Sequence, residues 1–415
     1  MVPNIRLKGF EGNWEERSLG ELYTERNERG NDSLQILTVS IHDGVSDGEL
    51  DDEGLGKVVR RSEDKSTYKH VYEGDLVFNM MRAWQGAIGV VKTEGMISPA
   101  YISAIPNDDV YPPFMDYALR RKEAIAQINN LSYGVTDFRK RLYWDSFVKV
   151  RCFLPSVEEQ KRITETFESL DRHISLAQRQ CDDLKELKKY MLQKMFPRDG
   201  ETIPEIRFAG FTDEWKQRKL GELVKFSKGT GYSKADLKES GTPIILYGRL
   251  YTRYETVIAD VDTFADAKPG SVYSHGGEVI VPASGETAED ISIASVVEKS
   301  GVLLGGDLNI ITPPGDLDPA FLAISISNGK PHDDMAKMAQ GKSVVHLHNT
   351  DLEKIDLAFP SNEEQMQISS CFKRIDHLIT LHQRNHDTLL EFRTYLLQNM
   401  FPLGGLTHAY VRIRN

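Results

Sequence analysis

The sequence predicts an α+β protein built as a pseudo-two-fold internal repeat. Two mixed α/β domains are separated by two long antiparallel helices that form a coiled coil. Three observations indicate this fold class: an opening segment occurs twice, a long amphipathic helix occurs twice, and the stretches between them carry short strand and turn signals. A fixed internal repeat indicates the architecture before any single motif does.

The opening segment starts each half of the chain. It reads PNIRLKGFEGNWEERSLGEL in the first half and PEIRFAGFTDEWKQRKLGEL in the second, which aligns Trp14 with Trp215. The middles that follow, residues 23–151 and 224–356, look unrelated to each other. The candidate strands are HVYEGDLVFNM, GAIGVV and KVRCFLP in the first middle and TPIILYG, GEVIVPAS and LNIITPP in the second. The clearest helix is FMDYALRRKEAIAQI.

A long helix closes each half. Its copies begin PSVEEQKRITETFESLDRHISLAQRQ and PSNEEQMQISSCFKRIDHLITLHQRN, and they end in YMLQKMFP and YLLQNMFP. Ser156 precedes Glu159 by three residues, and Ser361 precedes Glu364 likewise, which is the spacing of a capping box. Side chains then recur at alternating steps of four and three residues, the pattern of a coiled-coil seam. The seam positions are Ile163, Phe167, Leu170, Ile174, Ala177, Cys181 and Leu184 in the first copy, and Ile368, Phe372, Ile375, Ile379, His382, His386 and Leu389 in the second.

Each helix is expected to be a rod. About 38 residues at ~1.5 Å per residue span about 57 Å, and Pro197 and Pro402 end the rods. Two like rods in one chain pack most simply against each other, and antiparallel pairing would place the two domains at opposite ends. The expected parts are a first domain at 1–155, a first spacer helix at 156–198, a second domain at 199–360, a second spacer helix at 361–402 and a tail at 403–415.

Composition limits the class of protein. The chain is 40% hydrophobic and 27% charged and has no run of about 18 apolar residues, so we expect a soluble protein without a membrane span. No secretory signal follows Met1, and three scattered cysteines fit a reducing cytoplasm. The net charge of −11 argues against a general nucleic-acid coat, because neutralising phosphates needs clustered lysine and arginine.

Several motifs have a catalytic alternative. YPPF at 111–114 is similar to the Asn/Asp-Pro-Pro-aromatic motif of DNA amino-methyltransferases. In that motif the first side chain accepts a hydrogen bond from the target amine, a role to which Tyr111 is poorly suited. No glycine-rich cofactor loop precedes it, so we expect a turn leading into a helix. SGET at 284–287 contains a glycine but lacks the lysine of a phosphate-binding P-loop. Glu63 and Lys65 have a nuclease-like Glu-x-Lys spacing, but no acidic residue on a strand precedes them. No nucleophile, base and orienting group come together, so we expect a non-catalytic chain.

His382 and His386 lie one helical turn apart, a spacing that can hold zinc. They occupy seam positions where the other copy has Ala177 and Cys181. We expect large residues facing small ones across the seam, and no metal.

Basic and aromatic side chains cluster in both middles, in MRAWQGA, TDFRKRLYW, LYGRLYTRY and GKSVVHLH. Arginine and glutamine read base edges in the major groove, and lysine contacts phosphate. The alternative for each cluster is a solvated charged surface. The candidate DNA-binding residues are Arg82, Trp84, Gln85, Arg139, Lys140, Arg141, Tyr247, Arg249, Tyr251, Arg253, Lys342, His346 and His348.

The duplicated unit of W-x-x-x-x-L-G-E-L, a variable body, P-S-x-E-E-Q-x-x-I and a helix closing on L-Q-x-M-F-P resembles the specificity subunit of type I restriction-modification systems. The resemblance covers residues 3–402. It implies two target-recognition domains, each reading one half of a bipartite double-stranded DNA site. A rigid spacer predicts a fixed gap of about one duplex turn, ~10 bp between half-site centres.

The resemblance also implies partners. Two modification subunits would carry S-adenosylmethionine, and two restriction subunits would use ATP and Mg²⁺, while this chain would hold no cofactor of its own. The alternative is a coiled-coil adaptor that does not contact DNA. An adaptor would explain the helices and the acidity, but it leaves the two diverged bodies unexplained.

Overall fold

The computed structural model describes residues 1–31, 33–47, 67–134, 139–341 and 344–402. The chain divides into two compact units, which are Met1–Leu176 with Asn385–Asn415 (unit 1) and Ala177–Arg384 (unit 2). Both boundaries fall inside long helices, at Val157–Lys194 and Asn362–Asn399. Each unit therefore contains the first half of one long helix and the second half of the other.

Unit 1 combines short strands with helices. Its strands are β1 (Glu15–Ser18), β2 (Tyr23–Arg26), β3 (Leu37–Ser40), β4 (Gly44–Asp47), β5 (Lys69–Val71), β6 (Leu76–Asn79), β7 (Ile88–Val90), β8 (Gly95–Ile97), β9 (Tyr101–Pro106) and β10 (Arg151–Leu154). Its helices are α1 (Leu19–Leu22), α2 (Pro112–Leu119), α3 (Lys122–Leu131), α4 (Trp144–Phe147) and the first half of α5 (Val157–Lys194), with a 3₁₀ turn at Ala83–Gln85. The core sheet is antiparallel, in the order β2-β9-β6-β7.

Unit 2 is built in the same way. Its strands are β11 (Lys216–Lys219), β12 (Lys225–Lys228), β13 (Thr242–Ile245), β14 (Val257–Ile258), β15 (Phe264–Ala265), β16 (Glu278–Pro282), β17 (Ser284–Gly285), β18 (Ser295–Val297), β19 (Leu303–Leu304), β20 (Leu308–Thr312), β21 (Val345–His346) and β22 (Asp356–Phe359). Its helices are α6 (Leu220–Leu223), α7 (Tyr247–Thr252), α8 (Ala288–Ile291), α9 (Pro319–Ile326), α10 (Gly329–Met338), α11 (Asn349–Leu352) and the first half of α12 (Asn362–Asn399), with a 3₁₀ turn at Lys234–Asp236.

The two middles share one framework although their sequences look unrelated. The core sheet of unit 2 runs β12-β20-β16-β18, the counterpart of β2-β9-β6-β7, and the short strand β14 adds to its edge. In both units two helices follow the core sheet, α2 and α3 or α9 and α10, and then a short helix, α4 or α11. Opening and closing strands pair as β1 with β10 and as β11 with β22. The likeness could not be read from the sequence, because buried apolar residues replace one another freely in a core of fixed shape.

The α+β fold class, with two mixed domains and antiparallel long helices, is confirmed. In unit 1, Asp171 Oδ1 accepts a bond from Arg393 Nε at 2.5 Å. At the equivalent positions of unit 2, Asp376 Oδ1 lies 2.6 Å from Lys188 Nζ. The predicted seam residues are buried or half-buried, which is the exposure that a coiled-coil seam requires. The predicted domain limits remain a prediction.

The ends of the helices complete the cores. Met400 and Phe401 of the second MFP belong to the core of unit 1, and Met195 of the first MFP belongs to the core of unit 2. Phe196 packs against that second core, with its ring 5.8 Å from Trp215 at 82°. In unit 1, the ring centres of Phe401 and Trp14 lie 6.0 Å apart, and their planes meet at 83°. The repeated ending therefore fills the core of each unit.

The capping-box prediction was half right. Ser156 Oγ accepts the Glu159 amide at 3.3 Å, as a cap does. The Glu159 carboxylate does not return to Ser156 but accepts bonds from Arg6 Nε and Nη2, both at 2.8 Å, and from Trp14 Nε1 at 3.3 Å. In unit 2, Glu364 pairs with Arg207 in the same way, at 2.6 and 2.7 Å. A buried carboxylate needs a cation, and the opening segment supplies one.

Two local predictions need correction, and two helices were not predicted. The segment HVYEGDLVFNM is two strands, β5 and β6, because Gly74 at φ +90° makes a turn that only glycine adopts readily. FMDYALRRKEAIAQI is two helices that break at Arg120 and Arg121. Helices α9 and α10 were not predicted, and α9 is buried on nearly all sides, so it lacks the amphipathic pattern that reveals a helix. Among the described helices, none has the length and apolar character needed to cross a bilayer.

Candidate nucleic-acid interface

In unit 1, two predicted basic segments meet beside the end of strand β6. Leu142 N–H donates to the Met80 carbonyl at 2.9 Å, which places residues 139–141 next to residues 81–85. Backbone bonds between Tyr133 and Arg141, 3.0 Å in both directions, close the base of the second segment. The fold thus assembles one surface, here called the unit 1 loop cluster, from residues 81–85, 133 and 139–141.

Four polar side chains of this cluster, three of them charged, are available to a ligand. Arg82, Gln85, Arg139 and Arg141 are exposed, and their side chains make no hydrogen bond or ion pair with the described part of the chain. A cation that stays solvated in the free protein loses little when it turns to a phosphate or a base. The geometry therefore leaves these side chains free to contact DNA.

Aromatic rings support the cluster. Trp84 is half-buried, and its Nε1 donates to the Met81 carbonyl at 2.9 Å. Lys140 Nζ lies 5.9 Å from the centre of that ring and donates to Asn129 Oδ1 at 2.6 Å, so Lys140 is partly engaged. Sequence reasoning missed Tyr133, which is 52% exposed beside Tyr143. Its pairing with Arg141 is a contact across a loop, which no local spacing reveals.

The equivalent loops of unit 2 hold two of the other predicted residues, His346 and His348. Leu347 N–H donates to the Ala283 carbonyl at 3.0 Å, the counterpart of the bond from Leu142 to Met80. His346 and His348 are exposed, with parallel rings whose centres lie 6.4 Å apart. Lys342 lies outside the described residues. Residues 284–285 and 345–348, here the unit 2 loop cluster, therefore occupy the place of the unit 1 loop cluster.

Helix α7 lies next to this second cluster. A Cβ added to Gly285 would fall 3.8 Å from the Tyr251 ring and 2.4 Å from Ile291 Cγ2, so glycine permits the close approach. The ring centres of Tyr247 and Tyr251 lie 6.2 Å apart, and both residues are half-buried. Burial raises the pKa of Tyr251, so its hydroxyl stays protonated and can donate a hydrogen bond.

Two predicted arginines of unit 2 are bound to carboxylates of their own unit. Arg249 is 8% exposed and pairs with Asp262 at 2.6 Å and Glu255 at 2.8 Å. Arg253 also pairs with Asp262, at 2.6 Å. Arg249 holds the pKa of Asp262 below its usual range through this hydrogen bond, so the pair stays charged. This geometry favours a structural role for Arg249, and its DNA contact remains a prediction that the geometry does not support.

Of the motifs with other possible roles, YPPF lies in a structural position, and Glu63 and Lys65 lie outside the described residues. Tyr111 is the N-cap of α2 and Pro112 its first residue, so YPPF is the turn leading into a helix that we expected. Its backbone N–H donates to Gln160 Oε1 at 2.8 Å, as Asp318 donates to Gln365 at 2.9 Å before α9. Within the described ranges no three metal-ligating side chains come together.

Comparison with known proteins tests the resemblance to type I specificity subunits. Residues 212–391 match the family model described as the type I restriction modification DNA specificity domain. The resemblance to type I specificity subunits is confirmed. The chain is 22% identical over 319 residues to the type I restriction enzyme MjaVIII specificity subunit of Methanocaldococcus jannaschii, covering 74% of this chain and 71% of that protein.

Two further comparisons agree. The putative type I restriction enzyme MjaX specificity subunit of the same organism is 23% identical over 366 residues, covering 83% of this chain and 81% of that one. The crystal structure of a type I restriction-modification S subunit from M. genitalium matches with a TM-score of 0.62 at 14% identity. That match spans 98% of this chain and 100% of the other. At this identity the match shows the fold.

Proposed function

We propose that this chain is the DNA sequence-specificity subunit of a type I restriction-modification complex, in which each unit reads one half of a bipartite, asymmetric site. One observation carries the proposal. Two units with the same core sheet present different side chains at equivalent loops. Loops on a rigid scaffold are where proteins vary their recognition, so unlike loops on like scaffolds imply two unlike half-targets.

The side chains of the unit 1 loop cluster suit base reading. Arg82, Arg139 and Arg141 each carry a planar guanidinium that can donate two parallel bonds to guanine O6 and N7. Gln85 can pair with the N6 and N7 atoms of adenine in the same way. Lys140 suits a phosphate contact, which fixes position without reading sequence.

The unit 2 loop cluster suits a different half-target. His346 and His348 replace the arginines, and Tyr251, whose ring lies beside Gly285, offers a protonated hydroxyl. Imidazole rings and hydroxyls can accept or donate hydrogen bonds, whereas arginines only donate. The expected half-site therefore differs from the guanine-rich contacts that unit 1 favours.

The long helices are assigned the spacer role, and with it the docking of two modification subunits. S-adenosylmethionine is expected on the modification subunits, ATP and Mg²⁺ are expected on two restriction subunits, and this chain is assigned no catalytic step. The net charge of −11 is compatible with DNA binding if the modification subunits share in clamping the duplex.

Single-molecule methylome sequencing tests the proposal. A host without DNA methylation would express this chain together with its modification subunit. We expect methyladenine in a split, asymmetric motif with a fixed unspecified gap. Exchanging residues 23–151 for the corresponding body of a relative should then change one half of the motif and leave the other half and the gap unchanged.

The coiled-coil adaptor gives a different result. If both chains are expressed and assemble but no new methylated motif appears, the bodies do not read DNA and the adaptor function gains support. If the body exchange changes both halves at once, the one-unit, one-half assignment is wrong.

A further inference from the structure

Unit 2 contains a large basic groove apart from its loop cluster. The groove has a volume of about 1370 Å³ and is walled by the second half of α5, the first half of α12 and the start of α10. Its lining carries eight lysine and arginine side chains against five aspartate and glutamate side chains, in a chain whose net charge is −11. It is larger than an ordinary small-molecule pocket, which measures roughly 300–1,000 Å³.

Some of these cations have structural partners. Lys188 bonds Asp376 at 2.6 Å, Lys194 bonds Glu205 at 2.6 Å, and Lys330 bonds Asp334 at 2.6 Å.

Others have none. Lys189 and Lys373 are exposed and make no side-chain bond within the part of the chain that the structure describes, and Lys185 comes only to 3.8 Å from Asp182. This charge is not used by the fold of the unit.

The internal repeat gives an independent test of that statement. Where the first helix has Lys185 and Lys189, the second has Leu390 and Thr394. The position of Lys373 is Glu168 in the other copy, so the charge is reversed.

The paired lysine behaves differently. Lys188 corresponds to Arg393, and both make an interhelical ion pair with equivalent aspartates, Asp376 and Asp171. The framework therefore keeps the cation that it needs and does not require the other three. Those three lysines are therefore available to a ligand.

The groove lies near the unit 2 loop cluster. Tyr254, which lines the groove, directly follows Arg253 at the end of α7. Lys337 lines it as well and lies on α10 shortly before Gln340, whose backbone exchanges bonds with His346 at 2.9 and 3.1 Å. The first residues of α10 also line the groove, and the positive end of a helix dipole favours an anion there.

We propose that this groove binds the phosphate backbone of duplex DNA next to the half-site read by unit 2. The inference rests on the proposed function. Lys185 and Lys189 lie one turn apart on the helix, ~6 Å along its axis, so they can follow a strand. Flexible ammonium groups contact phosphate as point charges without reading a base, so the contact adds affinity equally on all sequences.

The test uses the complex of this chain with its modification subunit. The double variant Lys189→Thr and Lys373→Glu places in each position the residue that the other repeat carries there, so the fold tolerates it. Binding to two labelled duplexes, one with the methylated motif and one of arbitrary sequence, is measured across a salt series. The matched control is Lys216→Gln with Lys225→Gln, two exposed lysines outside the groove.

We expect the groove variant to lose affinity by a similar factor on both duplexes. The slope of log K against log salt should become shallower by about 1.8, which is two phosphate contacts at ~0.9 each. The methylated motif should not change, and the control variant should behave as the unaltered complex.

An unchanged salt slope in the groove variant would overturn the inference. If the methylated motif is intact in the same experiment, the proposed function still stands. Weaker assembly with the modification subunit, together with unchanged DNA binding once assembled, would identify a protein contact and overturn the inference as well. If the unaltered complex neither prefers a motif nor methylates one, the proposed function fails and this inference fails with it.

Discussion

Trp14 packs edge-on against Phe401, although the two residues lie near opposite ends of the described chain. The ring centres are 6.0 Å apart, and both side chains are 2% exposed. Phe114 and Phe167 complete the aromatic group, and Arg121 lies over the Phe401 ring at 4.5 Å. The second long helix thus ends as a core element of unit 1.

Removing the Phe401 ring should destabilise unit 1 selectively. We expect Phe401→Ala to lower the free energy of unfolding of unit 1 by about 3–5 kcal/mol, because truncating a buried phenylalanine leaves a cavity. Hydrogen exchange followed by mass spectrometry reports both units in one experiment. Protection should fall in peptides of Met1–Leu176 and persist in peptides of unit 2.

Phe196→Ala is the mirror experiment, and it should lower protection in unit 2 alone. Phe392→Ala, on helix α12, is the control for Phe401→Ala, since the Phe392 side chain is 50% exposed and its loss costs little. Equal loss of protection in both units after Phe401→Ala would contradict the assignment.

The buried ion pair of the opening segment should matter more than its charge count suggests. Glu159→Gln leaves Arg6 without its carboxylate, and we expect a loss of about 2 kcal/mol in the stability of unit 1. Glu158→Gln, one residue earlier and exposed, should change the urea midpoint little. Equal effects from the two substitutions would show that the Arg6 pair does not stabilise the unit.

Arg82 and Arg249, both predicted to bind DNA, should have different roles: Arg82 should contact DNA, and Arg249 should stabilise unit 2. Arg82→Gln should weaken binding to the cognate duplex by about 1–3 kcal/mol and leave the melting temperature unchanged, because Arg82 is exposed and unpaired in the described structure. Fluorescence anisotropy and differential scanning fluorimetry measure the two effects.

Arg249→Gln should do the opposite, lowering the melting temperature because it breaks the bonds to Glu255 and Asp262. A stable Arg249→Gln variant that no longer recognises one half of the motif would instead make Arg249 a base reader.

Asp116 should give unit 1 a pH-dependent stability. Burial raises the pKa of Asp116 above its unfolded value, against the opposing influence of Arg120 and the Val90 amide. A carboxyl group whose pKa is raised on folding contributes stability that is fully present below its unfolded pKa, near 4, and lost as pH rises through the folded pKa.

Asp116→Asn keeps an acceptor for the Val90 N–H and removes this titration. We therefore expect the variant to gain stability relative to the unaltered chain as pH rises from about 4 to 7. Urea unfolding at several pH values checks it, with the exposed Asp108→Asn as control. Parallel stability curves for the Asp116 variant and the unaltered chain would contradict the assignment.

The sequence by itself determined the elements that local pattern encodes. The repeat, the two long helices with their seam, the serine caps and the strands around LVFN and EVIVP all follow from periodicity and spacing over a few residues. The candidate residues also follow from composition, since basic and aromatic residues cluster in short stretches. The resemblance to specificity subunits depends on these same repeated motifs.

The tertiary structure alone decided how distant residues are paired. The Glu159 carboxylate pairs with Arg6 and not with the Ser156 backbone, and Tyr133 pairs with Arg141. Phe401 packs in the same core as Trp14. The tertiary structure also separated the exposed Arg82 from the paired Arg249, which the sequence presents alike. Such pairings depend on which segments the whole chain brings together, and the free energy of burying a ring or a charge is gained only when that partner is in place.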